Sequence, residues 1–425
     1  LAVTLQSDAR ISTGWSRLSP FCLDGVLDII TRNMLGRLLA PKDRSGGLLY
    51  KQTTELVALS NGCAHPELIY GARQTTTGTT LDIGTRVVAE IDLAAIVHNT
   101  REIQKRAIKS HCNLFAIVKA NAYGHGAVAV AHTLACCNKI DAFGVATLAE
   151  AIELRESGLP ASVRILVLGA SIDVSEWIHY AEHDLDIMVS SAEAAEELIQ
   201  WTTAEALAGR LKRPIRAHVM LNTGMSRIGL ATFSRDVLPS SADVPSATPS
   251  RAPSAPGLHA ERAAAVVQKI HDASDAALEF VAICSHMSEA KAGSDFAIQQ
   301  FQRLASVVHA VRALGIAVPM IHAENSESLL ADCVPDCEFI KLLHGNPPGR
   351  PHTVGYARSG GGIYGQRTFD YLKPAITLKA QVRHVHVAKK NVPVGYDRAW
   401  SAPEDSIIAT LAVGFADGYS RENSN

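Results

Sequence analysis

The chain has 425 residues, 40 basic against 42 acidic side chains, 47% hydrophobic residues and only 5% aromatics. That length supplies a substantial core and predicts two or three domains, and the composition excludes collagenous and disordered classes. The near-neutral charge balance argues against a nucleic-acid partner, whose phosphates need clustered cations, and no apolar run reaches the roughly 20 residues of a membrane-spanning helix.

None of the eight cysteines falls in a C-x-x-C pair, so no metal site is expected; the thiols read as free in a reducing, cytoplasmic setting. Residues 1–86 mix Gly, Ser, Thr and Arg with short apolar runs, which predicts a poorly structured N-terminal extension. Asn33–Ala40 has the look of a targeting peptide, but Asp8, Asp24, Asp28, Asp43 and Glu55 are out of place in an acid-poor transit sequence.

From Val87 the texture changes. Val87, Ala89 and Ile91 alternate like a strand, and Asp92 is placed to cap a helix carrying Leu93, Ile96, Val97 and Ile103 on one face. A unit of short apolar strand, loop and amphipathic helix then repeats. The strand candidates are Asn113–Val118, Ala142–Ala146, Arg164–Leu168, Leu185–Val189, Ile215–Leu221, Phe280–Ser285, Val318–His322 and Glu338–Leu342. Helices are expected at Leu148–Ser157, Ser191–Trp201 and Phe296–Ala313. Short continuous apolar runs suit parallel strands buried on both faces.

Eight such units predict an α/β fold of TIM type, a (β/α)8 barrel over residues 87–366. The competing doubly wound sheet would carry a glycine fingerprint after its first strand, and there is none. A Pro/Ser/Ala tract at 239–257 and a Gly/Pro-rich stretch at His344–Tyr356 interrupt the pattern as insertions. From Lys373 the period becomes two, with Ile376, Leu378, Ala380 and Val382 on one face and a second strand candidate at Ile407–Gly414. Residues 367–425 therefore read as the start of an antiparallel β domain, incomplete at the end of the sequence.

Chemistry in such a barrel gathers beyond the C-terminal ends of the strands. There the sequence places Lys119, Asn222, Thr223, Arg227, His286, His322, Asn325, Ser326, Arg358 and the run Ser359-Gly-Gly-Gly-Ile363. A lysine just past an apolar strand is desolvated, which lowers its pKa and frees a neutral amine to attack an aldehyde; a lone loop lysine is otherwise a solvated surface group. The glycine run exposes N–H groups suited to a phosphate, though alone it is also an ordinary turn. Lysine, phosphate cradle and two histidines able to flank a planar ring together suggest pyridoxal phosphate.

At these residues the chain resembles the alanine racemases. The resemblance starts at Val118-Lys119-Ala-Asn-Ala-Tyr-Gly-His-Gly126 and continues through Phe143–Arg155, Asn222-Thr-Gly-Met-Ser-Arg-Ile-Gly229 and Ser285-His-Met. It extends through His322-Ala-Glu-Asn-Ser326, Arg358-Ser-Gly, Tyr364-Gly365 and Val413-Gly-Phe-Ala-Asp-Gly-Tyr419, in order from about Val87 to Arg421.

It implies a racemase that interconverts L- and D-alanine with pyridoxal phosphate, built as a barrel followed by a β domain and working as a head-to-tail homodimer. By the same resemblance, Lys119 carries the cofactor and serves as one catalytic base. Tyr123, Ser326 and the backbone of Gly361 and Ile363 contact its phosphate, Arg358 bonds its pyridine nitrogen, His286 lies beside its ring, and Arg227 lies near its phenolic oxygen.

Three departures stand out. The family's second base is a tyrosine in Gly-Tyr-Ala-Asp-Gly, and here that position is Phe415, which has no ionisable proton. Tyr419 is too far along to replace it. Met220 stands where the family often carries a lysine. The family also continues on the order of 100 residues past the last residue here. These departures leave two alternatives: a one-base pyridoxal-phosphate enzyme on the same barrel, or an inactive truncated homologue that still binds the cofactor.

Overall fold

The computed structural model describes residues 2–5, 11–12, 86–233 and 256–418, apart from 172, 275–276, 290, 292, 332–335 and 367–368. Most of the expected 1–86 extension, the Pro/Ser tract up to residue 255, and Tyr419 lie outside the described residues. The chain divides into two compact units: a barrel of Thr100–Lys119 with Ala131–Ile363, and a smaller unit of Leu1–Asn99, Ala120–Val130 and Tyr364–Asn425.

Strand β1 (Val87–Ile91) alternates buried and half-buried residues, as its period-two sequence predicts. Asp92 then caps helix α1 (Leu93–Lys109), its Oδ1 accepting from Ala95 N–H at 2.9 Å.

The barrel follows as β2 (Cys112–Ile117), β3 (Ala142–Val145), β4 (Arg164–Ala170), β5 (Asp186–Val189), β6 (Ile215–Asn222), β7 (Leu278–Cys284), β8 (Met320–His322) and β9 (Val354–Ser359). Each strand is parallel to the next, β7 bonds both β6 and β8, and β9 returns to β2, so the sheet closes on itself with eight strands. Phe115, Phe143, Ile165, Leu166, Val219 and Ile283 are fully buried within it. These strands are covered on both faces, which is why they read as unbroken apolar runs rather than alternating ones.

Between the strands run α2 (Ala127–Cys137), α3 (Leu148–Glu156), α4 (Val174–Glu182), α5 (Ala192–Leu207), α6 (Pro256–Asp272), α7 (Asp295–Ala313) and α8 (Asp336–Leu343). Several of their starts carry side-chain caps. Thr147 and Glu150 form a reciprocal capping box on α3, and Asp173, Ser191 and Ser294 cap α4, α5 and α7.

One strand candidate is misplaced. Glu338–Leu342 belongs to α8, and the eighth barrel strand is Val354–Ser359, the end of the supposed insertion. The burial explains it: Phe339, Leu342 and Leu343 face the core while Lys341 is exposed, a helical spacing that a five-residue window conceals.

In the smaller unit β1 pairs antiparallel with β10 (Ile376–Ala380), and β11 (Val382–Ala388) pairs antiparallel with β12 (Ser406–Leu411). The short strand Ala2–Leu5 adds to the free side of β12. Arg86 reaches Asp417 within this unit, its Nη1 donating to Oδ2 at 2.8 Å and to Ala412 O at 2.6 Å. No described helix is long and apolar enough to cross a membrane.

Candidate active site

Lys119 stands two residues beyond β2 and is half-buried. Burial, with the charges of Arg227 and Arg358, lowers its pKa against the opposing pull of Glu150. It forms no ion pair among the described residues, so nothing there offsets the loss of hydration that disfavours its charged form.

The four residues after it, Ala120, Asn121, Ala122 and Tyr123, all have φ between 52° and 56°, a left-handed turn built without glycine. Such a turn costs about 1–2 kcal/mol per residue. Gly124 N–H donates to Ala120 O at 2.9 Å, and Ala127 N–H to Asn121 Oδ1 at 2.7 Å, which secures it. Tyr123, expected at the phosphate, packs within the smaller unit with its ring 5.1 Å from Tyr364, on which His125 stacks at 4.5 Å.

Arg358, at the end of β9, is fully enclosed by the barrel. Its Nη1 donates to His322 Nδ1 at 2.9 Å, and its Nη2 donates to His286 Nδ1 at 3.0 Å, to Ala323 O at 3.2 Å and to Ser285 O. His322 Nε2 lies 2.8 Å from His218 Nδ1, and His218 Nε2 lies 2.9 Å from Asp186 Oδ2. Asp186 also holds Arg164 at 2.8 Å and Arg216 at 2.6 Å.

The acceptors fix every proton in this row. Asp186 only accepts, so His218 donates from Nε2; its Nδ1 must then accept from His322 Nε2–H, whose Nδ1 accepts from Arg358. Both imidazoles are neutral, and burial holds the pKa of each below the ordinary histidine value. Burial likewise pushes His286 down to about 3, aided by the charges of Arg358, Arg227 and Lys119. Among the described residues Arg358 has no carboxylate partner. It is a buried guanidinium whose charge calls for an electron-rich ligand.

The glycine run turns around Ser326. Gly360 N–H and Gly362 N–H donate to Ser326 Oγ at 2.9 and 3.4 Å, and Ser359 Oγ lies 3.0 Å from it. Ile363 N–H, expected to face a phosphate, donates to Gly360 O at 2.9 Å. Gly361 N–H has no acceptor among the described residues. A Cβ on Gly362 would lie 3.0 Å from Ile103 Cδ1 and 3.1 Å from Ser359 Oγ, so a side chain there would crowd both neighbours. Arg227 is exposed, and its charge reaches Lys119 and His286.

In the smaller unit Phe415 opens a single 3-10 turn, Phe415–Asp417, and is 64% exposed.

The profile described as "Alanine racemase, N-terminal domain" matches residues 91–239 and 256–341, and that described as "Alanine racemase, C-terminal domain" matches 375–425. The chain belongs to the alanine racemase family. An alanine racemase of Nostoc sp. is 30% identical over 344 residues, 80% of this chain and 76% of its own length. One of Geobacter sulfurreducens is 29% identical over 343 residues, with the same coverage of both chains. Among solved structures, an alanine racemase from Streptomyces coelicolor superposes with a TM-score of 0.60 at 28% identity, covering 79% of this chain and 77% of that one. The Pseudomonas aeruginosa biosynthetic enzyme gives 0.57 at 27% identity, with the same coverage.

The structure thus brings Lys119, Arg227, His286, Ser326, Arg358, Gly361 and Ile363 into one unit at the C-terminal ends of its strands. Tyr123 and Phe415 belong to the other. Sequence reading set His322 beside a cofactor ring, whereas it lies buried behind Arg358, and it missed His218 and Asp186 altogether. The signal was present: each is a polar residue inside a strand otherwise buried and apolar, and such residues must have partners.

Proposed function

We propose that this chain is a pyridoxal-phosphate-dependent alanine racemase that interconverts L- and D-alanine, with Lys119 as the residue that holds the cofactor and moves a proton at the substrate α-carbon. The observation that carries this is the half-buried Lys119 amine at the same strand ends as the buried Arg358, with no carboxylate paired to either among the described residues. The residues fit the cofactor: an amine whose pKa burial lowers for its aldehyde, an N–H at Gly361 with no acceptor among the described residues for its phosphate, and a fixed cation for its ring nitrogen. When bound, pyridoxal phosphate supplies a conjugated sink for the electron pair left as the α-proton departs.

Within the barrel, Ser326 and the Gly361 N–H would hold the phosphate, and His286 would lie against the ring. Arg358 donates but does not release a proton, so it would hold the ring nitrogen unprotonated and keep the sink moderate. The Lys119 amine would take or return the α-proton on its own face. The resemblance to the family adds a phosphate contact from Tyr123 and a homodimer. The exposed valines Val382, Val385 and Val387 along β11 support a second copy as a partner. The free thiols of Cys137 and Cys284 support a reducing, cytoplasmic setting.

The test is direct. The purified chain loaded with pyridoxal phosphate is expected to show a visible absorption band that borohydride reduction fixes on Lys119 by peptide mass mapping. If Lys119→Ala keeps the band unchanged, the assignment is wrong.

A further inference from the structure

Helix α4 ends in His179-Tyr-Ala-Glu182-His183, and nothing in the racemase chemistry uses these residues. At spacings of three and four they share one face of the helix. One ligand-type atom from each lies within 4.8 Å of the others, and no other described His, Cys, Asp or Glu residues converge in this way. His179 Nδ1 lies 2.9 Å from Glu182 Oε2, and the two imidazole centroids are 6.0 Å apart.

A second, independent feature points to a cation. His183 Nδ1 lies 3.1 Å from the His179 carbonyl oxygen. A carbonyl only accepts, so Nδ1 carries the proton and Nε2 presents a lone pair. That is the arrangement by which a metal-binding histidine is usually oriented, with its second nitrogen donating to a backbone oxygen. The corner itself is held firmly. Arg155 Nε donates to His183 O at 3.0 Å, and Arg155 Nη2 donates to Asp184 O at 2.9 Å.

We propose that His179, Glu182 and His183 form a binding site for a divalent transition-metal ion of the zinc class, with water completing the coordination. Two imidazoles and one carboxylate are the donor set that zinc takes when a position is left open. Tetrahedral bonds of about 2.0–2.1 Å set neighbouring donor atoms roughly 3.4 Å apart, shorter than the 4.8 Å within which these donors lie, so the side chains would close in on the ion. Because α4 lies between β4 and β5, its C-terminal end sits at the N-terminal ends of the barrel strands, the face opposite Lys119. An ion there braces the α4–β5 corner and takes no part in the reaction.

The experiment is titration of the cofactor-loaded protein with Zn2+ against a chromophoric chelator. Wild type is compared with His179→Ala, His183→Ala, Glu182→Gln and a His344→Ala/His352→Ala control, which removes another close surface pair, 3.4 Å apart. Either histidine variant on α4 is expected to weaken one equivalent by about tenfold or more, Glu182→Gln by less, and the control to leave that equivalent intact. Cu2+ in place of Zn2+ is expected to show two coupled imidazole nitrogens in wild type and one in each histidine variant. Unchanged stoichiometry and affinity in the α4 variants overturns the site and leaves only the His179–Glu182 ion pair. Should a variant fail to fold, Zn2+ protection of His179 and His183 against carbethoxylation in wild type decides instead; equal labelling with and without Zn2+ overturns it.

Discussion

His218 Nδ1 and His322 Nε2 share a single proton across 2.8 Å inside the barrel. Because Asp186 terminates the row as a pure acceptor, the proton belongs to His322, and Arg358 is obliged to donate to His322 rather than compete with it. A carboxylate on β5 thereby sets the orientation of a guanidinium on β9. The carboxylate is itself secure: burial raises its pKa, but the His218 hydrogen bond and the charges of Arg164 and Arg216 outweigh that and hold it below the usual range.

Replacing His218 with Phe removes one of the bonds to Asp186 and frees the His322 proton. The expected loss of stability is about 1–3 kcal/mol, the cost of a buried polar group left without its partner. His218 is a positioning residue, so kcat is expected to fall with little change in KM, and the kcat–pH profile to shift because His322 then titrates. A variant with lowered stability and an unmoved pH profile would reduce His218 to a structural role.

Acid sensitivity follows from the buried histidines. His286 is pushed down to about 3 and His125 to about 4, while His218 and His322 are also lowered, burial being the first cause in each. Below an ordinary histidine pKa of about 6.5 the unfolded chain binds protons that the folded chain refuses, so stability falls as pH falls. Each fully shifted histidine contributes a slope of about 1.4 kcal/mol per pH unit until its folded pKa is reached. Urea midpoints at pH 7.5, 6 and 5 are expected to decline, most steeply between the last two; a constant midpoint would contradict it.

Phe415 offers no proton, so exchange of the α-hydrogen in deuterium oxide is expected to be fast for one enantiomer of alanine and slow for the other, served by Lys119 alone. Phe415→Tyr is expected to raise racemisation by about 10²-fold or more, the usual worth of a positioned acid–base group. Equal exchange from both enantiomers in wild type would show that another residue serves the second face.

The turn that carries Phe415 is braced by Asp417, which accepts from Gly414 N–H at 3.0 Å and receives Arg86 on both oxygens. Asp417→Ala is expected to destabilise by about 1–2 kcal/mol, limited because Arg86 is 44% exposed. In a Phe415→Tyr background it is expected to cancel most of the gain in activity. If the double variant keeps the full gain, the brace does not position residue 415.

The barrel was legible because its strands are buried on both faces and advertise themselves as apolar runs, and Lys119 and Ser326 could be placed at strand ends because they follow those runs. Val354–Ser359 was missed because Gly355, Arg358 and Ser359 dilute its apolar pattern while Phe339, Leu342 and Leu343 imitate a strand from within a helix. Gly355 in turn leaves no room for more: a Cβ there would lie 2.8 Å from Cys112 Sγ. The histidine row was illegible for a different reason. It joins β5, β6, β8 and β9, and only closure of the sheet sets them side by side, a relation that no local window contains.

The left-handed turn behind Lys119 inverts the ordinary ranking of residues. At Ala120 through Tyr123 glycine, elsewhere the most disordering choice, would lower the local backbone energy. The chain keeps side chains there instead, and each restricts its own φ and ψ far more than glycine would. The consequence is a stiff mount: the lysine behaves as a short arm on a fixed pivot, swinging through its own χ bonds along one arc. Glycine at 120 or 122 would turn that pivot into a hinge.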